Sequence, residues 1–480
     1  MNSFKPMLLT SLKSYDRAQF AKDVTAGIIV AIIALPLSIA LALASGVGPE
    51  AGIFTAIVAG FVISALGGSC VQIAGPTAAF ATIVAGIVAQ DGLEGLMTAT
   101  ILAGIFLIIM GFCHFGSLIK FIPYTITTGF TSGIAVTIVI GQLKDFCGVT
   151  YPAGVKPIET MEKLKAFAEN FSTISPDALI VGGVSLAILI VSPLIFKKIP
   201  GSLIAVIAGI LMVQFLPLHV STIGNLYTIS NALPTLHLPV FDMKLIQSAI
   251  PNAFTIAVLA AIESLLSCVV ADGMINSKHR SDTELIAQGA GNIASALFGG
   301  IPATGAIART AANIKNGGRT PVAGMVHSIT LVIVLVVLMP FAGMIPMPTI
   351  AAILFLVAYN MCQWRTFVHL VRTAPKSDII VLFTTFVLTV VFDLVVAIEI
   401  GMVLACLLFI KRMSEETHAD SWVYVDDDSP AVDEHLQKLP LEIRVYEITG
   451  PLFFGAADAI EHIVVKDFTK CLVLRMRSVP

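Results

Sequence analysis

The sequence predicts an all-α polytopic membrane protein, with 14 apolar segments followed by a short charged C-terminal part. Of its 480 residues, 56% are hydrophobic and only 12% are charged, and the mean hydropathy is +0.92. A soluble domain carries roughly 25% charged residues. Residues 414–480 hold 13 acidic and 6 basic residues, so charge is concentrated in the tail and is sparser in the long apolar part. A soluble enzyme and a disordered chain are thereby excluded, and the net charge of −3 gives no reason to expect nucleic-acid binding.

Twelve segments are apolar enough to cross a bilayer as helices, which takes about 20 residues each. They lie near 24–44, 51–67, 95–114, 121–143, 177–196, 200–216, 249–270, 283–298, 321–340, 348–362, 377–392 and 394–412. Two more, 70–89 and 299–315, are too short and too interrupted to cross as plain helices. Between the spans, the long segment 144–176 is interpreted as a simple connector, within which residues 157–170 could form a short surface helix.

The basic residues predict the orientation. With residues 1–23 in the cytoplasm, 16 Lys and Arg residues fall in inside segments and 5 in outside segments. This bias follows the positive-inside rule and predicts that both termini are cytoplasmic. The seven cysteines form no CxxC pair or Cys/His cluster, and no nucleotide loop or nucleophile–base pair stands out. We therefore predict no metal, no cofactor and no enzymatic activity.

The two interrupted segments resemble each other and indicate an internal repeat. Residues 70–80 and 299–310 each contain an extended Gly-rich stretch, then a proline (Pro76, Pro302), then small residues. When the two prolines are paired, the chain divides into two halves of seven spans, and the interrupted span is the third of each half. Because seven is odd, the second half crosses the membrane in the opposite direction to the first, as in an inverted repeat. Two helix N-termini near the midplane favour an anion, although each break alone could be a packing kink.

Two of the charged residues within this apolar part are candidates for function. Arg309 follows the second break, and we interpret it as a fixed positive charge for an anionic substrate; the alternative is a snorkelling or structurally paired arginine. Glu263 lies in the eighth span, with Ser267 one turn later on the same face. Glu263 could carry a coupling proton, help to hold a cation, or form a structural pair with Arg309.

The tail reads as an acidic linker, 414–439, followed by the start of a small α/β domain at 440–480. Two strand-like runs, LEIRVYEITG and PLFFGAAD, precede a candidate helix at 455–466 and a third strand, KCLVLRMRSV. We expect this domain to be incomplete, because about 40 residues are marginal for an independent core.

Several motifs together identify a family. ALPLSIALALASGVGPEAG, QIAGPTAAF, AIESLLSCVVADGM, GNIASALFGGIPATGAIARTAANIKNGGRTPVAGMVHSI and VYEITGPLFFGAAD occur in order along the chain. They resemble the SulP anion transporters, which include bacterial sulfate and dicarboxylate carriers and the animal pendrin–prestin proteins. The chain looks most like the bacterial dicarboxylate/sulfate carriers, which implies the bacterial inner membrane, and its tail resembles the opening of a STAS domain.

The resemblance implies a core domain (24–115 and 249–340) that moves against a gate domain (121–216 and 348–413), usually in a homodimer. It also implies one anion site between the half-helices. The residues carried over by position are Leu37, Leu41, Thr77, Ala78, Ile307, Ala308 and Arg309 for the anion, with Glu263 on the coupling-ion side. Ser267 joins Glu263 as a coupling-ion candidate because of its helical spacing. Many members have Gln where this chain has Leu37, and the STAS domain ends before its usual regulatory loop.

The leading functional hypothesis is a secondary active transporter that takes up sulfate, a dicarboxylate or bicarbonate by alternating access, coupled to protons. The alternatives are sodium-coupled bicarbonate uptake, an anion exchanger or channel with the same cavity, and a signalling membrane protein driven by the tail.

Overall fold

A computed structural model describes residues 4–117, 123–152, 157, 159–195, 200–239, 242–392, 394–415, 418–422, 443–449 and 469–478. The chain divides into two compact units, Met1–Glu399 and Ile400–Pro480, and each is described by itself.

The first unit is mostly helical, as predicted. Its helices are α1 Met7–Ser11, α2 Arg17–Ala44, α3 Pro49–Leu66, α4 Ala81–Phe112, α5 Tyr124–Cys147, α6 Thr160–Glu169, α7 Pro176–Ile195, α8 Gly201–Phe215, α9 Ile223–Leu226, α10 Met243–Ile275, α11 Ser281–Leu297, α12 Ile307–Lys315, α13 Val322–Ala342, α14 Met347–Cys362, α15 Trp364–Thr373, α16 Lys376–Val391 and the beginning of α17, Leu394–Glu415. Two very short strands, β1 Ala74–Gly75 and β2 Thr304–Gly305, lie between them.

The longer helices overlap the predicted apolar segments, although α2 and α10 begin about two turns before their predicted spans, and α6 lies within residues 157–170. Among the described residues, eight helical stretches are long and apolar enough to cross a membrane. They are Arg17–Ala44, Pro49–Leu66, Ala78–Phe112, Tyr124–Cys147, Pro176–Ile195, Met243–Ile275, Val322–Ala342 and Met347–Thr373. The remaining helices are shorter or less apolar.

The segment predicted as a half-helix and the span after it form one element with a bend. A 3₁₀ turn, Ala78–Phe80, leads into α4, and the helix is interrupted at Gly92, where φ is 69° and ψ is −164°. Only glycine adopts this backbone conformation without strain. The bend therefore separates a short first part of α4 from the longer part that follows it.

The two breaks lie in the middle of a group of packed helices. Helix α3 packs against β1, α10 packs against β2, and α12 packs against both α2 and α10. Helices α11 and α13 pack against α3 from the other sides. Alanines dominate the buried positions here, including Ala56, Ala59 and Ala74, each fully buried. Small side chains let the backbones approach closely, so the non-helical segments are enclosed by protein.

The second unit contains the rest of α17 and a three-stranded sheet, β3 His418–Trp422, β4 Ile443–Thr449 and β5 Cys471–Ser478. Strand β4 is antiparallel to β3 and parallel to β5. The strands predicted around 443–449 and 471–478 are present. The segment predicted as linker holds the end of α17 and strand β3, while PLFFGAAD and the helix predicted at 455–466 lie outside the described residues.

Candidate anion-binding site

The two interrupted segments meet and pair with each other. Ala74 lies opposite Gly305 and Gly75 opposite Thr304 in an antiparallel ladder. The Ala306 N–H extends the contact by donating to the Ile73 carbonyl at 2.9 Å. The pairing satisfies backbone groups that would otherwise be unpaired within the bilayer. The repeat segments found in the sequence thus form one structural unit.

Two helix N-termini follow directly from this ladder. Thr77 precedes the helical turn that leads into α4, Ala306 precedes α12, and both have extended backbones. No side chain caps either terminus. The first N–H groups of a helix have no partner within the helix and carry a partial positive charge. The junction therefore presents uncapped N-termini from both repeats.

The predicted equivalence of the two prolines is wrong in detail. Pro76 lies between β1 and the helix that follows it, whereas Pro302 lies before β2. The ladder and the helix starts match in position, but the prolines do not. Proline is tolerated anywhere that helix is absent, so it marks an interruption without fixing its register.

Arg309 is buried at this junction and has no acidic partner within the described part of the chain. Its side chain is 1% exposed, and its Nη2 donates to Ser38 Oγ and to the Pro76 carbonyl, both at 3.3 Å. Its Nε and Nη1 have no hydrogen-bond partner among the described residues. Because both acceptors are neutral, the positive charge is not compensated. The guanidinium reaches from α12 across to the carbonyl that precedes the helix of the other repeat.

Gly75 provides the room for that guanidinium. A Cβ atom at this position would collide with Arg309 Nη1 and would lie 3.6 Å from the Ala56 Cβ. Any larger residue at this position would force the Arg309 guanidinium to move.

Glu263 is directed at the first repeat and not at Arg309. Thr77 Oγ1 donates to Glu263 Oε2 at 3.0 Å, and the carboxyl group is partly buried on α10. No ion pair between Glu263 and Arg309 occurs in the described part of the chain. The two charged residues expected from the sequence are thus brought to one junction, each with neutral hydrogen-bond partners.

Ser267 lies one turn further along α10 and contacts a different group. Its Oγ donates to Thr310 Oγ1 at 3.4 Å, and Thr310 Oγ1 also accepts the Ile73 N–H at 3.1 Å. Ser267 is 1% exposed. Its observed contact anchors α12 to α10.

The remaining predicted residues differ in exposure. Leu41 is 2% exposed and Leu37 is half-buried on α2, while Ala78 is buried at the start of the first half-helix. Ile307 and Ala308, at the start of α12, are exposed. The N-terminus of α12 is therefore accessible. The side chain of α2 that contacts Arg309 is that of Ser38, a residue that sequence reasoning missed.

Sequence reasoning also missed the polar side chains on α11 that hold the interrupted backbone. Glu284 Oε2 accepts the Gly68 and Ser69 N–H groups at 2.8 and 3.2 Å. Asn292 Oδ1 accepts the Ala303 N–H at 2.8 Å, and its Nδ2 donates to the Ala303 carbonyl at 2.9 Å. The sequence contains a signal that could have identified them, because polar residues recur on one face of this helix. They are Glu284, Gln288, Asn292 and Ser295.

The chemistry of the junction suits an anion more than a metal. No group of three His, Cys, Asp or Glu side chains placed to hold a metal ion occurs within the residues that the structure describes. Uncompensated guanidinium donors beside two helix N-termini offer positive charge and N–H groups instead.

Comparison with known proteins agrees with the motifs. The Sulfate permease family matches residues 20–385. A putative sulfate transporter of Bacillus subtilis, YvdB, is 40% identical over 97% of this chain and 87% of its own length. The bicarbonate transporter BicA of Picosynechococcus is 33% identical over 95% of this chain and 83% of its own.

Solved structures give the same result. The transmembrane domain of a cyanobacterial bicarbonate transporter, BicA, has a TM-score of 0.72 and 30% identity, covering 80% of this chain and 98% of that domain. The murine Slc26a9 anion transporter has a TM-score of 0.87 at 18% identity, covering 98% of this chain and 83% of that one, which supports the fold alone. These relatives are transporters, so the expectation of a membrane transporter and not an enzyme is confirmed, and the chain belongs to the Sulfate permease family of anion transporters.

Proposed function

We propose that this protein is a secondary active transporter that takes up a small anion by alternating access, coupled to protons. The observation that carries the proposal is the buried Arg309, which has no acidic partner and lies beside two uncapped helix N-termini.

The anion would bind between the half-helices. A buried arginine at bilayer depth costs about 2.5–3.5 kcal/mol even where insertion is tolerated. Its free Nε and Nη1 donors add to this cost, because each unpaired buried donor is unfavourable by about 1–3 kcal/mol. A bound anion offsets both, since it supplies negative charge and acceptor oxygens. The N–H groups around Ala78, Ile307 and Ala308 would complete its coordination, with Leu37 and Leu41 closing the site from α2.

Glu263 would carry the coupling proton. When ionised, Glu263 accepts a hydrogen bond from the hydroxyl of Thr77, the residue that precedes the first half-helix. When protonated, it adds no negative charge next to the substrate and can donate to the same hydroxyl. Protonation therefore favours anion binding through charge, and the shared residue Thr77 links the two events. Ser267 would support the coupling side by holding α12 against α10.

We propose the architecture that the sequence predicts for the family. The 14 segments would form a 7+7 inverted repeat, with a core domain (24–115 and 249–340) and a gate domain (121–216 and 348–413), in a homodimer of the bacterial inner membrane. Both termini would be cytoplasmic, and residues 440–480 would belong to a STAS domain. The antiparallel pairing of the two break segments supports the inverted repeat.

The substrate class follows from chemistry and from the relatives. Sulfate and bicarbonate are named for relatives that match nearly the whole chain, and both are small oxyanions that a guanidinium and backbone N–H groups bind. A dicarboxylate would fit the same donors. The second candidate is sodium-coupled bicarbonate transport. The match to BicA favours bicarbonate as the anion. An anion exchanger or channel would use the same site.

Uptake into liposomes tests the proposal. Purified protein is reconstituted, and labelled sulfate, bicarbonate and a dicarboxylate are supplied with an inward proton gradient, an inward sodium gradient, or neither. Accumulation of one anion that requires the proton gradient is expected. Equal uptake with and without that gradient would refute proton coupling, and dependence on sodium would establish the second candidate. Rapid flux that never accumulates anion against its gradient would identify a channel.

A further inference from the structure

Helix α15 lies apart from the anion site and has the length of an interfacial helix. It begins after Gln363, whose left-handed backbone (φ 44°, ψ 43°) ends α14, and it ends at Thr373. Ten residues of helix extend about 15 Å, which is half of the hydrocarbon core. The charged residues of the Met347–Thr373 stretch are confined to α15. The apolar part that can cross the membrane is therefore α14.

The two faces of α15 differ sharply. The apolar face is formed by Trp364, Phe367, Val368, Leu370 and Val371. Phe367 on this face contacts Phe383 and Phe386 of α16, with ring centroids 5.7 and 5.5 Å apart. The helix is thus held along the transmembrane bundle by its apolar side.

The opposite face is basic and exposed. Arg365, His369 and Arg372 follow at helical spacing, and exposed Lys376 begins α16. None of the ion pairs found among the described residues involves Arg365, Arg372 or Lys376. Asp378, the acid that follows, accepts a hydrogen bond from the Ser377 hydroxyl. The face therefore presents concentrated positive charge with no ion-pair partner among the residues that the structure describes.

Aromatic side chains independently place this region at a membrane boundary. Trp364 Nε1 donates to the Tyr359 hydroxyl, and the Tyr124 hydroxyl donates to Gln363 Oε1, both at 3.2 Å. Trp364, Tyr359 and Tyr124 are all about half exposed. Tryptophan and tyrosine concentrate where hydrocarbon meets headgroups, because one end of each ring system is apolar and the other polar.

We propose that α15 is a binding site for anionic phospholipid headgroups, with Arg365, Arg372 and Lys376 contacting the lipid phosphates. Arginine binds phosphate through two N–H groups at once, and a basic face on an interfacial helix attracts anionic lipid. Arg365 also lies over the Trp364 ring, 5.6 Å from its centroid, which holds the guanidinium beside the aromatic side chain.

Trp364 makes the proposal directly measurable. The chain has two tryptophans, so Trp422→Phe leaves Trp364 as the sole emitter. The full-length protein is reconstituted in phosphatidylcholine vesicles that contain a fixed fraction of brominated phosphatidylglycerol or of brominated phosphatidylcholine. Because bromine quenches tryptophan at contact, we expect stronger quenching by phosphatidylglycerol, and 1 M salt should reduce the difference.

The double variant Arg365→Gln/Arg372→Gln, in the same background, should reduce the preference for phosphatidylglycerol by roughly tenfold or more. Each basic side chain near an anionic surface contributes a factor of about five. The matched control is Lys165→Gln/Lys244→Gln, which removes two exposed positive charges elsewhere and should leave the preference unchanged.

Several outcomes would overturn the proposal. Equal quenching by the two lipids in the Trp422→Phe background would show that no anionic lipid is selected. No quenching by either lipid would show that protein, such as the acidic tail, covers the helix. A preference that survives in the double variant would assign it to other residues. Displacement by inorganic phosphate, but not by chloride of equal ionic strength, would assign the face to a soluble phosphate.

Discussion

Replacing Arg309 by glutamine should weaken anion binding without destabilising the protein. Glutamine removes the charge and the free Nε and Nη1 donors, yet its amide can still donate to Ser38 Oγ or to the Pro76 carbonyl. In most buried hydrogen-bond networks, the removal of one partner lowers the free energy of unfolding. Here the charge has no acidic partner to leave behind, so its removal relieves a cost of about 2.5–3.5 kcal/mol. We expect an unchanged or higher unfolding temperature without anion.

The loss of affinity follows from the donors that are free. A hydrogen bond to a charged group contributes about 1.5–3 kcal/mol, and each 1.4 kcal/mol is about tenfold in Kd. Losing even one such bond at Arg309 weakens binding at least about tenfold. At an anion concentration of about 100 times the original Kd, ligand binding stabilises the protein by about 2.7 kcal/mol. The same concentration should stabilise the variant by at most about 1.4 kcal/mol.

Thermal unfolding with and without sulfate, bicarbonate or a dicarboxylate measures both effects in one experiment. Arg319→Gln is the matched control, because Arg319 is an exposed arginine ten residues away whose Nη1 donates only to the backbone carbonyls of Ile314 and Gly318. It should keep the full anion-dependent shift. If Arg309→Gln retains the anion-dependent shift of the unsubstituted chain, the reasoning about the uncompensated guanidinium is refuted.

Three further substitutions test other parts of the account. Glu263→Gln should abolish anion accumulation driven by a pH gradient while leaving anion binding intact, because glutamine accepts the same hydrogen bond but cannot release a proton. Liposome uptake measures the accumulation, and thermal shift measures the binding. Gly75→Ala should lower anion affinity at least about tenfold, because its methyl group displaces the buried guanidinium and with it a charge-assisted bond. Asn292→Ala should lower the free energy of unfolding by about 2–4 kcal/mol, because it leaves a buried N–H and a buried carbonyl of the second break unpaired; denaturation in detergent measures this.

The glycine and asparagine substitutions each have a matched control in the chain. Gly86→Ala adds a methyl group with no atom within 4 Å in the first part of α4, so anion affinity should not change. Asn316→Ala removes a partly buried amide that makes one backbone hydrogen bond, and should cost under about 1.5 kcal/mol. Persistent accumulation in Glu263→Gln, unchanged affinity in Gly75→Ala, or equal destabilisation by both asparagine variants would contradict the respective argument.

The long apolar helices could be predicted from the sequence because a run of apolar residues of sufficient length is itself the signal. The segments near 177–196 and 321–340 correspond to α7 and α13 with small shifts at their ends, while α2 begins seven residues before the predicted 24. The two breaks could be located because glycine and proline interrupt an apolar run wherever they cluster. Their register could not be predicted, since Pro76 and Pro302 mark an absence of helix and not the position of the neighbouring strand.

The candidate site was only partly predictable for a related reason. Arg309 and Glu263 are conspicuous because charge is rare in this part of the chain, so composition alone draws attention to them. Their partners are ordinary residues, such as Ser38, Thr77 and a backbone carbonyl, and become visible only when segments far apart in sequence meet. The expectation of a possible Glu263–Arg309 pair shows the limit, because proximity of two charges along a repeat does not determine where each side chain points.

The most direct test of the central claim is the position of a bound anion. Diffraction from crystals soaked with selenate, recorded at the selenium edge, locates such an anion by its anomalous signal. We predict one peak between the N-termini of α4 and α12, within hydrogen-bonding distance of the Ile307 or Ala308 N–H groups and next to the Arg309 guanidinium. Strong occupancy elsewhere in the transmembrane unit, with no peak at this junction, would contradict the account.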